Sequence, residues 1–157
     1  MSNPKQPKRT SACPCHSGLA YGECCHPFHR NEREAPTPEA LMRSRFSAFA
    51  TSQVDYLMKT LHPDHADRQL PDDVLRPTIQ TACRACRYTG LAIAEASSEG
   101  ERGKVTFHAK VFEKGVDHSF SETSLFGRTA DGWRYLSGQT SAGDDITRAL
   151  RKASAKR

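Results

Sequence analysis

Lys104-Val-Thr-Phe-His-Ala-Lys-Val-Phe112 alternates without a break, with Val105, Phe107, Ala109 and Val111 on one side and Lys104, Thr106, His108 and Lys110 on the other. A period of two, with branched and aromatic side chains on a single face, is the pattern of a half-buried strand. The neighbouring stretches repeat it. Tyr88–Ala96 reads as a strand, followed by a loop over Ser98–Gly103. Lys114-Gly115 is a turn, and Asp117–Arg128 places Phe120 and Phe126 on one face. Asp131-Gly132 is a hairpin signal before a last strand, Trp133–Ser137. Four antiparallel strands in succession are expected.

Upstream the period lengthens to that of a helix. Thr37-Pro38-Glu39 combines an N-cap, a proline suited to the first helical position and a carboxylate favourable to the helix dipole. Met42, Phe46 and Phe49 then fall on one stripe to about Thr51. Ser52 is expected to cap a second helix with Val54, Leu57, Met58 and Leu61 on its apolar side, ended by His62-Pro63 because the residue before proline avoids helical geometry. A third helical stretch starts at Pro71-Asp72-Asp73, is interrupted or restarted at Pro77 and runs towards Cys86. Helices followed by strands define an α+β fold, with helices packed on one face of a curved antiparallel sheet.

Before all this lies Cys13-Pro-Cys-His-Ser-Gly-Leu-Ala-Tyr-Gly-Glu-Cys-Cys-His-Pro-Phe-His29. Cys13, Cys15, Cys24 and Cys25 form a ligand set of the kind zinc prefers. The loop between the pairs is too short and polar to make a core, so a metal is expected to close it and to supply its folding energy. Cross-bridged disulfides are the competing reading and need an oxidising compartment. His26 is the reserve ligand should Cys25 not bind; His16 and His29 are read as solvated. Leu19, Tyr21 and His16 lie between the ligand pairs, where they are expected to be available to a partner. Phe28 is expected to anchor the exit of the module against the body.

The division that follows is a basic disordered tail over 1–11, a zinc module over 12–29, a linker over 30–36, an α+β domain over 37–142 and a basic tail over 143–157. Net charge is +5, but eight basic residues sit at the two ends, and without those eight the chain has 15 basic against 18 acidic residues. Such ends can contact nucleic acid or ribosomal RNA, though few aromatics accompany them. No apolar run approaches a membrane span or a signal-peptide core, and the expected location is the reducing cytoplasm. No phosphate loop, nucleophile elbow or dinucleotide fingerprint occurs.

The cysteine segment resembles the SEC-C motif, C-x-C-x(8)-C-[CH], the zinc-binding tail of the bacterial preprotein translocase ATPase. Cys13, Cys15, Cys24 and Cys25 match its ligand positions, and Ser17, Gly18 and Tyr21 match its interior. In the translocase the module contacts a chaperone and the ribosome, so the resemblance implies zinc and a protein or ribosome partner. The element order resembles the cystatin-like cone of nuclear transport factor two and ketosteroid isomerase. Leu41-Met42-Arg43-Ser44-Arg45-Phe46, Ala48-Phe49, Tyr56-Leu57, Thr60, His62-Pro63, Glu122, Ser124, Phe126, Trp133, Tyr135 and Gly138 carry a resemblance to the YchJ-like family, which joins a SEC-C motif to such a domain. Two departures are the missing C-terminal SEC-C copy and Leu61 where relatives commonly have tryptophan.

A cone of this kind has an inward face. His118, Glu122 and Ser124 share the parity of Phe120 and Phe126, which points Glu122 into the core, with Arg43 or Arg45 as the cation to pair with it. His62 ends the second helix near the same region. Arg43, Arg45, His62, His118 and Glu122 are therefore the candidate pocket. Glu122 and His62 are candidates for proton transfer, against a structural reading in which arginine and Glu122 fix helix on sheet and His62 bonds a backbone carbonyl. Cys83 and Cys86 read as small buried hydrophobes rather than a redox or metal pair.

Overall fold

The computed structural model describes residues 6–140. Helix α1, His26–His29, closes the cysteine module; α2, Pro38–Thr51, α3, Val54–Lys59, and α4, Asp72–Ala85, follow. Five strands follow among the described residues: β1, Arg87–Glu99; β2, Arg102–Glu113; β3, Val116–Asp117; β4, Phe120–Thr129; and β5, Gly132–Thr140. They form one antiparallel sheet in the order β1-β2-β4-β5, with β3 paired to β2. Register shifts insert an extra residue twice in β1, at Thr89 and Ala94, and once in β5, at Leu136 opposite the Leu125–Phe126 step of β4. Such bulges bend a strand and raise its twist, and they curve this sheet around α2.

The alternation in β2 buries as its sequence requires: Val105, Phe107, Ala109 and Val111 are all core, while Lys104, His108 and Lys110 are exposed. Leu41, Met42, Phe46, Leu57, Phe126 and Trp133 close over them. Thr37 caps α2 by accepting the amide of Ala40 at 3.0 Å, with Pro38 in the first turn. The start of that helix rests on β2 where only hydrogen fits, because a Cβ on Gly103 would collide with the Pro38 ring.

Several boundaries differ from expectation. Ser52 ends α2 in the left-handed region, φ 57°, and Gln53 precedes α3 instead. Helix α3 stops at Lys59, before His62-Pro63, because β5 captures the backbone that would continue it. The amide of Tyr135 donates to the Thr60 carbonyl at 2.8 Å, and that of His62 donates to the Tyr135 carbonyl at 2.8 Å. Helix α4 runs unbroken through Pro77. The expected loop after the first strand shrinks to a tight hairpin, with Glu99 opposite Arg102 and Gly100 at φ 60°. The expected strand over 117–128 is split by His118-Ser119, where the amide of Ser119 bonds the Asp117 carboxylate at 2.8 Å.

Cys83 and Cys86 are buried in the main core and form no disulfide, as expected of small buried hydrophobes. No helix among the described residues is long and apolar enough to cross a membrane.

Candidate metal centre

Two short pieces of backbone bring the four thiols together. Cys13 lies on a hairpin closed by its amide on the Leu19 carbonyl at 2.9 Å and by a bridge between Ala12 and Ala20. His16 and Gly18 turn it with positive φ, 62° and 90°. Backbone pairing extends upstream, where the amides of Tyr21 and Gly22 donate to the Ser11 and Arg9 carbonyls, each at 2.8 Å. A single 3-10 turn, Tyr21–Glu23, then delivers Cys24 and Cys25 to the same point, and Cys25 begins α1.

All four Sγ atoms lie within 4.8 Å of one another. Cys15 is 3.6 Å from Cys24, and Cys24 is 3.9 Å from Cys25. Metal–sulfur bonds of about 2.3 Å in a tetrahedron require sulfurs roughly 3.8 Å apart, whereas a disulfide needs about 2.05 Å. The spacing fits a metal site, and none of these four cysteines is in a disulfide. Cys13, Cys15 and Cys25 are buried and Cys24 is half-buried. Hydrogen bonds with Cys13 lower Cys15 strongly and bring Cys24 down to about 7. Hydrogen bonding to Cys15 raises Cys13, and hydrogen bonding to Cys13 raises Cys25. Four thiolates at this distance repel, and a cation at their centre is the charge that would let all four ionise. Ser17 adds a hydroxyl 3.2 Å from Cys24 Sγ while accepting the Leu19 amide. His26 is not in the cluster. Its ring stands edge-on to Tyr21, 5.2 Å between centroids, and Cys25 completes the group of four that could hold a metal.

Two expectations for this segment fail, for one reason. Tyr21 is wholly buried, not available to a partner, and His29 is 8% exposed, not solvated. Both are consumed in docking the module on α2. The Tyr21 hydroxyl donates to His29 Nδ1 at 2.7 Å, and His29 Nε2 donates to the Ser44 carbonyl at 2.8 Å. The rings of His29 and Tyr56 meet at 5.0 Å, and Tyr56 bonds Ser44 through hydroxyls at 2.7 Å. Phe28 enters the main core as expected.

Burial holds His29 down at about 4, below its ordinary 6.5. A depressed histidine adds stability that is complete above pH 6.5 and is lost as pH falls towards 4, in total about 3 kcal/mol. We expect the denaturation midpoint of the wild type to fall more steeply than that of His29→Gln across this window. Metal release by acid is common to both proteins, so parallel slopes would rule out the buried neutral imidazole.

The candidate pocket residues part company. Glu122 is buried on the core face, as its parity predicts, and accepts from Ser124 Oγ at 2.7 Å and Tyr135 Oη at 3.0 Å. A Cβ on Gly138 would strike both Glu122 and the Tyr135 hydroxyl, so glycine is what lets them meet. Arg45 belongs to this cluster. It lies 4.8 Å over the Tyr135 ring and donates to the Leu57 carbonyl at 3.0 Å and Thr60 Oγ1 at 2.6 Å. Burial depresses its guanidinium, and the Tyr135, Tyr56 and Glu122 charges act against that. Arg43 does not join it: it pairs with Glu39 at 3.0 Å and donates to the Cys15 carbonyl at 2.9 Å, bracing the metal module instead. His118, outside the regular part of β4, faces Glu113 at 3.9 Å. His62 packs on Gly127, and its Nδ1 accepts the Asp64 amide at 3.0 Å rather than bonding a carbonyl.

His65, not foreseen, stacks on Tyr135 at 5.2 Å and is lowered by burial. Its signal is the tandem His62-Pro-Asp64 and His65-Ala-Asp67, in which each ring takes the amide two residues on.

A curved antiparallel sheet wrapped on α2, with a four-cysteine knuckle docked to that helix, defines a cone-domain protein carrying a SEC-C motif. The SEC-C model matches residues 9–27, and that of the YchJ middle NTF2-like domain matches 37–138. The chain belongs to the YchJ family, whose curated members are called UPF0225 proteins. It is 41% identical to the UPF0225 protein of Deinococcus radiodurans, over 87% of this chain and 97% of that one. It is 37% identical to UPF0225 protein SG1365 of Sodalis glossinidius, over 82% and 83%. Two solved structures of SEC-C motif containing proteins are similar. That from Rhodopseudomonas palustris has a TM-score of 0.72 at 32% identity, over 83% of this chain and 99% of that one. That from Psychrobacter arcticus has a TM-score of 0.70 at 24% identity, over 86% and 85%.

Proposed function

We propose that the four cysteines hold a structural zinc ion and that the knuckle it stiffens is a contact surface for a protein or the ribosome. The observation that carries this is the set of four sulfurs at tetrahedral spacing. Four protein ligands leave no open position for substrate or activated water, which is the mark of a structural rather than a catalytic zinc site. Thiolates of this softness suit zinc, and a reducing cytoplasm keeps them free.

Docking consumes one side of the knuckle through Tyr21 and His29. What it leaves outside is the tip from His16 to Leu19, where His16 is exposed and Leu19 is 53% exposed. An apolar side chain on a rigid loop that cannot fold it inward is an inexpensive anchor for a partner. We expect the protein to sediment with purified ribosomes at physiological salt, and Leu19→Asp to lose that sedimentation while retaining its metal. Absence of sedimentation, or equal sedimentation by the variant, would refute the ribosomal contact. Glu122→Gln, remote from the tip, should sediment like the wild type.

A further inference from the structure

A cleft of about 460 Å³ opens between the end of α3, the loop beyond it and the β4–β5 turn, lined by neither the cysteines nor Glu122. Three cations reach it, Lys59, Arg68 and Arg134, with two carboxylates, Glu34 and Asp131. Arg134 is 5% exposed, and its Nη1 donates to Glu34 Oε1 at 3.0 Å and to the Trp133 carbonyl at 2.9 Å. Among the described residues its Nε and Nη2 have no hydrogen-bond partner, and neither is an orphaned buried atom, so both are available to a group in the cleft that Arg134 lines. Arg68 is anchored through Nη2 on the Met58 and Leu61 carbonyls at 2.8 and 3.0 Å, and among the described residues its other nitrogens have no hydrogen-bond partner. Two fixed guanidiniums with spare donors are suited to a planar or tetrahedral oxyanion.

The chain already shows what this place selects. Glu34, from the segment joining the knuckle to the cone, lies between two of the cations. One oxygen is 3.0 Å from Arg134 and the other 2.8 Å from Lys59. We propose that the cleft binds a small molecule by a phosphate or carboxylate group held by Arg134 and Arg68, and that Glu34 competes for the same cations. The cleft is far larger than a bare oxyanion, so the remainder of the molecule lies along Leu61 and Pro63, the apolar part of the wall. Three cations against two carboxylates suit one oxyanion, not a polyphosphate or a nucleic-acid backbone.

The test is a titration of the full chain with inorganic phosphate and, in a second arm, acetate, at constant ionic strength, followed by backbone amide shifts. Saturable shifts centred on 59–68 and 129–134 are expected, and the tighter arm tells phosphate from carboxylate chemistry. Arg68→Gln, a change at an exposed side chain, should abolish them, and Glu34→Gln should tighten binding several-fold by removing the competing charge. No saturable shift in either arm, or shifts indifferent to Arg68→Gln, would overturn the site. Unchanged affinity in Glu34→Gln would overturn the competition. The bound metal should be unaffected in every variant, which separates this site from the knuckle.

Discussion

Cys24→Ser is expected to lose the bound metal and unfold residues 13–29 while the cone stays folded. Structural zinc in such small modules contributes apparent binding energies of about 10–16 kcal/mol, which here is folding energy for a segment with almost no core of its own. The knuckle core consists of the ligand cysteines and Tyr21, and it is a separate cluster from the one between α2 and the sheet. Losing the first therefore leaves Leu41, Phe46, Val105, Phe126 and Trp133 packed. The checks are metal analysis, with one zinc per wild-type chain and none in the variant, and amide exchange. Exchange should open over 13–29 and remain slow in β2 and β4. A wild type purified reduced and without chelator that carries no zinc would end the proposal, and collapse of the whole chain in the variant would end the independence of the two cores.

Arg45→Met is expected to cost about 3–5 kcal/mol, the range for breaking a buried charged network by removing one partner. The guanidinium is buried, and it satisfies the Leu57 carbonyl and Thr60 hydroxyl at the end of α3 while its charge reaches Glu122. Methionine fills the space but leaves the carboxylate to the hydroxyls of Ser124 and Tyr135. Arg43→Met should cost only about 1 kcal/mol, since its partly exposed pair with Glu39 and its bond to the Cys15 carbonyl are of ordinary strength. Urea denaturation of the two variants decides the matter. Equal midpoints would mean that the two arginines are not on the different faces described.

Those two arginines show where reading the chain runs out. Both were equal candidates to pair with Glu122, because periodicity places an apolar stripe on α2 without saying what covers its flanks. Residues two apart on a helix point about 200° apart, so one had to meet the sheet and the other could not. Glu122 was correctly turned inward, since strand parity is local, but its contacts with Tyr135 and Gly138 come from a different strand. His62-Pro63 marked a real boundary two residues late. The proline stops a helix, but the pairing of Thr60 and His62 with Tyr135 stops it first.

By itself the sequence determined most of the elements and which four cysteines cluster. The Thr37-Pro38 cap, the alternation in β2, the Asp131-Gly132 turn and the C-x-C and C-C pairs all rest on forces between residues a few positions apart. Only the tertiary structure decided how the knuckle sits and what remains free on it. Its docking depends on Tyr21 and His29 meeting Ser44, and on Arg43 reaching Cys15 across 28 residues. The charged cleft depends on Glu34 meeting Arg134 across 100. Such contacts form when α2 and the curved sheet have already brought distant backbone together, and no local pattern encodes them. A tyrosine in a short polar loop looks like surface until the helix that buries it is in place.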